Sequence, residues 1–189
     1  MGRDFGSMPS EREDNLMTER KGKPEKPGSK PKSSRPSMPA DYGIQGPKSG
    51  SGLRSWDETS PKIAKARNYW IGTTRPNGHA HAMPVWGLWL RGRFLFSTGR
   101  SSRKALNLAH QPYLVVHLES GDDVVILEGV AQEVSDPALL AEFVEAYDAK
   151  YGFRPDPDDA NNVYYSVNPQ VAFAWLESDF PGGATRWKF

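Results

Sequence analysis

The chain has 189 residues, a formal net charge of +1 and no cysteine. That length suits one domain with an extension, and the near-neutral charge gives no global case for nucleic acid. The lack of cysteine excludes disulfides, thiolate metal sites and a cysteine nucleophile. No apolar run is long enough to span a bilayer and no secretory signal opens the chain, so a cytoplasmic protein without membrane contact is expected.

Residues 1–52 are rich in Pro, Gly, Ser and Lys, as in the run from Lys21 to Pro36, and hold almost no aliphatic side chains. Nothing there offsets the entropy of folding, which predicts a disordered, mildly basic arm. It lacks the interleaved aromatics that would stack nucleic-acid bases. A folded domain is expected over 53–189, where nearly all of the six tryptophans, seven tyrosines and eight phenylalanines lie.

Thr59 or Ser60 is expected to cap a short helix over Pro61–Asn68, with Pro61 at its first position. Tyr69–Arg75, the turn Pro76-Asn77-Gly78 and His79–Leu90 read as a β-hairpin, followed by a tight turn at Arg91-Gly92-Arg93 and a strand over Phe94–Ser97. Tyr113–Glu119 and Asp123–Val134 read as two more strands around Ser120-Gly121-Asp122. Asp136 and Pro137 start a helix to about Lys150, with Leu139, Leu140, Phe143, Val144 and Tyr147 at helical spacing and Gly152 marking its end. A polar loop over Arg154–Asn162 and a strand over Val171–Glu177 complete the regular elements. Several strands are apolar on both faces, notably Met83–Leu90 and Val124–Leu127, so one face fills a closed barrel and the other needs a helix or a second subunit. The expected fold is mainly β with some α, an antiparallel small barrel with flanking helices, and the leftover apolar faces predict a dimer.

One stretch carries chemistry. Ser97–Leu108 joins a strand to a helix that Ser101 or Ser102 can cap and Pro112 stops. A helix start is already positive and favours acids, yet Arg100, Arg103 and Lys104 gather there with no acid among them. An anion resolves the conflict, because free N–H groups, serine hydroxyls, a guanidinium and an ammonium are what a phosphate ester uses. A solvated basic turn is the competing reading. His79 and His81 share a strand face without a nearby carboxylate, and His110 and His117 stand singly, so no metal site is expected. There is no Gly-x-Ser-x-Gly elbow and no phosphate-binding Walker sequence. With no protein nucleophile, a catalytic role implies a cofactor that carries the chemistry, and Trp86, Trp89, Trp175 and Trp187 are available either as walls around a planar ring or as core.

From about Trp56 to the C-terminus the chain resembles the pyridoxamine 5′-phosphate oxidase-like split-barrel family, in its flavin and deazaflavin branch. The residues that carry the resemblance are Asn68–Thr74, Pro76-Asn77-Gly78, His81–Trp86, Ser97–Leu108, Glu128–Ala131 and Ala184–Phe189. It implies a split β-barrel of the FMN-binding type and a homodimer with cofactor sites at its interface. By the same resemblance the strand His81, Met83, Pro84, Val85 and Trp86 runs along the cofactor ring, largely through backbone groups. Ser97, Thr98, Arg103 and Lys104 hold its phosphate, and Trp175 and Arg186 lie against the ring, commonly from the other subunit. The implied cofactor is FMN or a deazaflavin coenzyme (F-420 type), whose extended acidic tail Arg91, Arg93 and Arg100 can meet. The implied activity is hydride transfer to a small conjugated substrate, with no catalytic side chain named. Trp86 replaces a basic residue of the oxidases proper, and Thr185-Arg186-Trp187 replaces their arginine–histidine signature, which argues against vitamin B6 as substrate. The rival readings are a non-catalytic flavin or haem carrier of the same fold, and an interaction module acting through its arm.

Overall fold

Two long strands carry the fold. A computed structural model describes residues 30–42 and 52–189, and in it β7 (Asp123–Glu133) pairs antiparallel along its whole length with β8 (Asn162–Leu176). The other edge of β8 is shared. Its first half takes β5 (Arg93–Gly99), with Phe94 opposite Val167 and Gly99 opposite Asn162. Its second half takes β9 (Thr185–Lys188), with Ala172 opposite Trp187. Between the halves the register of β7 and β8 shifts at Glu128/Gly129, where a Cβ on Gly129 would lie 2.4 Å from the Asn168 carbonyl oxygen. A side chain has no room at this bulge, so the sheet bends there.

The sheet continues from β7 through β6 (Tyr113–His117) and β2 (Tyr69–Thr74) to the edge strand β3 (Ala80–Val85), while the short β4 (Leu88–Leu90) pairs with β5. Among the described residues neither β3 nor β4 pairs onward, so the sheet is α+β in company but not closed. This corrects the closed barrel and the single strand over His79–Leu90. The apolar run breaks at Gly87, whose Cβ would meet the Phe94 ring at 2.4 Å, and it divides into β3 on one side of the split and β4 on the other.

Two apolar clusters result, and strand alternation assigns residues to them. Phe94 and Phe96 of β5 join Tyr69, Ile71, Val116, Leu127, Val167 and Trp187 inside the sheet. Leu95 points the other way and packs with Leu88, Phe143, Tyr147, Tyr151 and Tyr164 under α3 (Pro137–Tyr151). The helix expected over 136–150 is present, capped by the Asp136 side chain and closed by Gly152 at φ 67°. It covers the outer apolar face that the sequence left open, and each large side chain buried in this way contributes about 1.5–3 kcal/mol.

Three local expectations change. Helix α1 (Trp56–Lys65) starts four residues earlier than the Thr59 cap, on Ser55, and accommodates Pro61 in its interior. Trp56 drives this, because it packs edge-on against Trp89, Trp187 and Phe189. The final long strand begins at Asn162 rather than Val171, since β5 supplies the pairing that its polar and proline residues do not advertise. Part of the expected disordered arm is also ordered. Residues Lys32–Ser34 form β1 against β9, and Arg35, 1 % exposed, donates from Nη1 to the carbonyls of Gly182 and Ala184. The remainder of the expected arm, residues 1–29 and 43–51, lies outside the described residues. α4 (Phe180–Gly183) carries those two carbonyls' turn into β9.

Replacing Arg35 by Ala strands two backbone acceptors in the interior, so Arg35→Ala is expected to lower stability by about 1–3 kcal/mol. Urea unfolding measures it, and an unchanged midpoint would show that the strap contributes nothing.

Candidate functional site

The strand-to-helix turn after β5 forms as its sequence indicates. Ser102 caps α2 (Arg103–His110), its Oγ accepting the Ala105 N–H at 3.3 Å. The Thr98 and Ser102 hydroxyls lie 3.1 Å apart. The first turn of α2 contains no acid, and the N–H groups at such a helix start have no intrahelical acceptor.

Helix α2 docks on β2 through a buried polar link. Asn107, fully buried, donates from Nδ2 to the Thr73 hydroxyl at 2.9 Å. Thr73 is the register partner of His81, and its hydroxyl lies 3.4 Å from the His81 Nδ1. This link brings the start of α2 to the first half of β3. Burial lowers the pKa of His81, and the nearby cations Arg75, Lys104 and Arg103 lower it further. Burial likewise lowers that of Lys104. Three cations therefore act on one histidine, and among the described residues none of Arg75, Arg103 and Lys104 has a carboxylate partner. The arrangement suits an anion and repels a cation.

The expected site residues divide into groups. His81, Met83 and Val85 share the face of β3 that continues the interior, opposite Thr73, Ile71 and Tyr69, and Met83 is 43 % exposed there at the open edge. Pro84 points to the other face, opposite Trp70. Thr98, Arg103 and Lys104 belong to the cationic turn. Ser97 does not, because it alternates with Thr98 and its side chain bonds to Tyr147 of α3. That separation was readable from the two-residue period of Phe94–Thr98. Arg100 also turns away, pairing with Glu133 at 3.2 Å. Arg91 pairs with Glu142 at 2.6 Å.

Trp175 and Arg186 lie elsewhere in the chain. Ala172 and Ala174 occupy the interior, so Trp175 points outward, where it meets Phe180 edge-on at 5.5 Å. Arg186 Nε donates to the Ser34 hydroxyl at 3.2 Å, on the arm strand. Along β8, Trp175 is twelve residues from Val163, the partner of Thr98, a path of roughly 40 Å. One chain does not bring these two residues to the cationic turn. Trp89 and Trp187, offered as possible walls, pack with Trp56 instead. Arg75 and the Thr73–Asn107 link were not anticipated, since only strand pairing joins them to the turn.

Two depressions open on the surface of the described residues. One of about 310 Å³ opens on the sheet surface between Gly72, Thr74, Tyr113, Val115, Glu128 and Gln170. Another of about 430 Å³ lies between α3 and residues 154–157, away from the cations, where Arg154 is already paired with Glu145 and Asp148.

The family model described as pyridoxamine 5′-phosphate oxidase matches residues 56–177. No curated protein matches the chain. Among solved structures, it is similar to a conserved hypothetical protein from Mycobacterium tuberculosis, at 22 % identity and a TM-score of 0.59 over 68 % of this chain and 88 % of the other. It is also similar to general stress protein 26 from Bacillus anthracis, at 22 % identity and a TM-score of 0.53 over 62 % of this chain and 91 % of the other. A haem storage protein from Vibrio cholerae aligns at 14 % identity and a TM-score of 0.52 over 64 % of this chain and 94 % of the other. At these identities the structural likeness shows the fold alone.

Because the folded His81 releases its proton more readily than the unfolded one, the unfolded chain binds more protons between the lowered value and the ordinary 6.5. Its contribution to stability therefore declines as pH falls through that window. NMR titration of His81 is expected to give a midpoint below 6.5, moved upward by Arg103→Ala or by Lys104→Ala. A midpoint at the ordinary value, insensitive to both changes, would show that the cations do not act on it.

Proposed function

The chain belongs to the pyridoxamine 5′-phosphate oxidase family, and on that footing we propose that it is an oxidoreductase working with a phosphate-bearing flavin, FMN or a deazaflavin coenzyme. The observation that carries the reading is the cationic turn, in which Arg103 and Lys104 open α2 with no acid and, together with Arg75, act on His81 of β3. A phosphate fits that turn on chemical grounds. It accepts from the helix-start N–H groups and the Thr98 and Ser102 hydroxyls, and it removes the repulsion among the cations.

The bound ring would supply hydride transfer to and from a small conjugated substrate. The chain's own contribution is position. Arg103 and Lys104 hold the phosphate. The outer edge of β3, with no strand beside it among the described residues, offers the N–H and carbonyl of Ala82 and the carbonyl of Pro84, because the Arg75–His79 bond sets a ladder in which His81, Met83 and Val85 turn their backbone groups to β2. Met83, exposed at the open edge, supplies an apolar surface that would keep water from a ring laid along the strand. No acid or base is required of the protein.

Trp175 and Arg186 enter this reading through a second copy. Both sit on the outer sheet face, which also carries the 310 Å³ depression and the 56 %-exposed Tyr113. A homodimer packed through that face would deliver them to the partner's cofactor and would cover the apolar surface. The pairing of Arg91 with Glu142 and of Arg100 with Glu133 leaves fewer cations for an extended acidic tail, which favours FMN. Vitamin B6 is not the proposed substrate, given Trp86 and Thr185-Arg186-Trp187.

The absorbance of the purified protein tests the reading, with a flavin or deazaflavin spectrum expected and a haem Soret band favouring haem storage, as the Vibrio cholerae neighbour is named for. Titrating the apoprotein with each coenzyme separates the two flavins. Each of Arg103→Ala and Lys104→Ala should weaken the bound coenzyme about tenfold to a hundredfold, as for loss of a charge-assisted hydrogen bond. Sedimentation should give a dimer. A colourless protein that neither coenzyme restores overturns the proposal.

A further inference from the structure

At the far end of β3 from the cations lies a second constellation. Trp86, 39 % exposed, stacks parallel on Tyr151 with ring centroids 4.7 Å apart and planes within 6°. The Arg67 guanidinium carbon is 5.4 Å from the Trp86 centroid and 5.6 Å from that of Tyr151. Nearly equal distances to two stacked rings place the guanidinium beside the stack and not on top of it. One indole face is therefore taken by Tyr151, with Tyr147 tilted by 55° at 6.3 Å; Arg67 does not cover the other, and the exposed area of Trp86 is what remains for a ligand.

The base of this stack is held rigidly. The Tyr151 hydroxyl accepts the Gly87 N–H at 3.0 Å and lies 2.8 Å from the carbonyls of Gly87 and Arg67, to one of which it donates. Lys150 Nζ donates to the Tyr69 hydroxyl at 2.9 Å, the Gly87 carbonyl at 3.1 Å and the Ala64 carbonyl at 3.3 Å. The pKa of Lys150 is brought down to about 8 by burial and by repulsion from Arg67. Among the described residues no carboxylate pairs with either cation. The result is an exposed indole on a fixed support, flanked by a guanidinium without an anion.

We infer that Arg67, Trp86 and Tyr151 form a recognition site for a flat aromatic carboxylate, its ring on the open face of Trp86 and its carboxylate on the Arg67 guanidinium. Stacking on the indole selects a planar ring, and the forked guanidinium selects a carboxylate over a neutral amide of the same shape. Trp86 follows His81 by five residues, roughly 16 Å along an extended strand, so the site sits a coenzyme's length from the cationic turn, where a substrate would meet the ring. That role as the substrate end rests on the flavin reading. The binding itself does not.

Calorimetric titration of the protein as purified, with nicotinate and with nicotinamide as its neutral isostere, tests the site. Nicotinate is expected to bind at least tenfold more tightly. Arg67→Met, which keeps the apolar stem of an exposed residue, should weaken nicotinate about tenfold to a hundredfold and leave nicotinamide unchanged. Trp86→Ala should weaken both, and thermal melts verify that each variant is folded. Equal affinity for the two probes, or a preference that survives Arg67→Met, overturns the inference. Repeating the titration on Lys104→Ala keeps it separate from the cofactor reading. A nicotinate preference that persists when no flavin is bound supports the site, whereas flavin binding without that preference sinks the site and leaves the cofactor reading standing.

Discussion

Gly87 is the point at which the chain is forced to leave one half of the sheet and enter the other. The Phe94 ring and the Leu95 carbonyl occupy the space where its side chain would be, so no other residue fits without moving the interior. Its N–H and carbonyl, taken out of any strand, are satisfied by Tyr151 and Lys150. A buried backbone group without a partner is costly, and α3 therefore has to end where it does. The same contacts fix Tyr151, which in turn fixes Trp86. A steric exclusion at one glycine thus sets the split, the docking of a helix and the orientation of an exposed indole.

The two ends of β3 are consequently of different character. At His81 the surroundings are cationic and polar, organised by the Thr73–Asn107 link and the start of α2. At Trp86 they are aromatic, with cations at the side and beneath. Between them the strand offers an edge unpaired among the described residues and the exposed, apolar Met83. A molecule with a phosphate at one end and a flat ring at the other matches this sequence of surroundings, which is why the cofactor and the aromatic carboxylate are proposed for neighbouring places on one strand.

The outer face of the sheet poses the complementary problem. Trp175 and Arg186 lie there, held by Phe180 and by Ser34 of the arm strand, about as far from the cationic turn as β8 allows. Their distance from it within one chain is understandable if the face meets a second copy. The arm, through β1 and the buried Arg35, also becomes part of the support for Arg186, a role that its composition conceals because three paired residues and one buried guanidinium barely alter the Pro, Gly and Ser content of the segment.

Local physics was enough for the sequence to determine a helix start at Ser101 or Ser102, the uncompensated positive charge around it, the Asp136 cap and Gly152 stop of α3, and the hairpin at Pro76–Gly78, since caps, dipoles and turns involve residues within a few positions of one another. The absence of cysteine chemistry followed from composition. The resemblance carried by His81–Trp86 and Ser97–Leu108 extended this to the fold family. The two-residue period put Ser97 and Thr98 on opposite faces, but only the tertiary structure decided which helix each face meets, that Arg100 and Arg91 are drawn to Glu133 and Glu142, and that Arg67 lies beside Trp86 and Tyr151. It alone showed that an apparently continuous strand is two strands and that the arm contributes a third edge. These depend on pairings between residues tens of positions apart, and neither periodicity nor composition records which segment will occupy the neighbouring place.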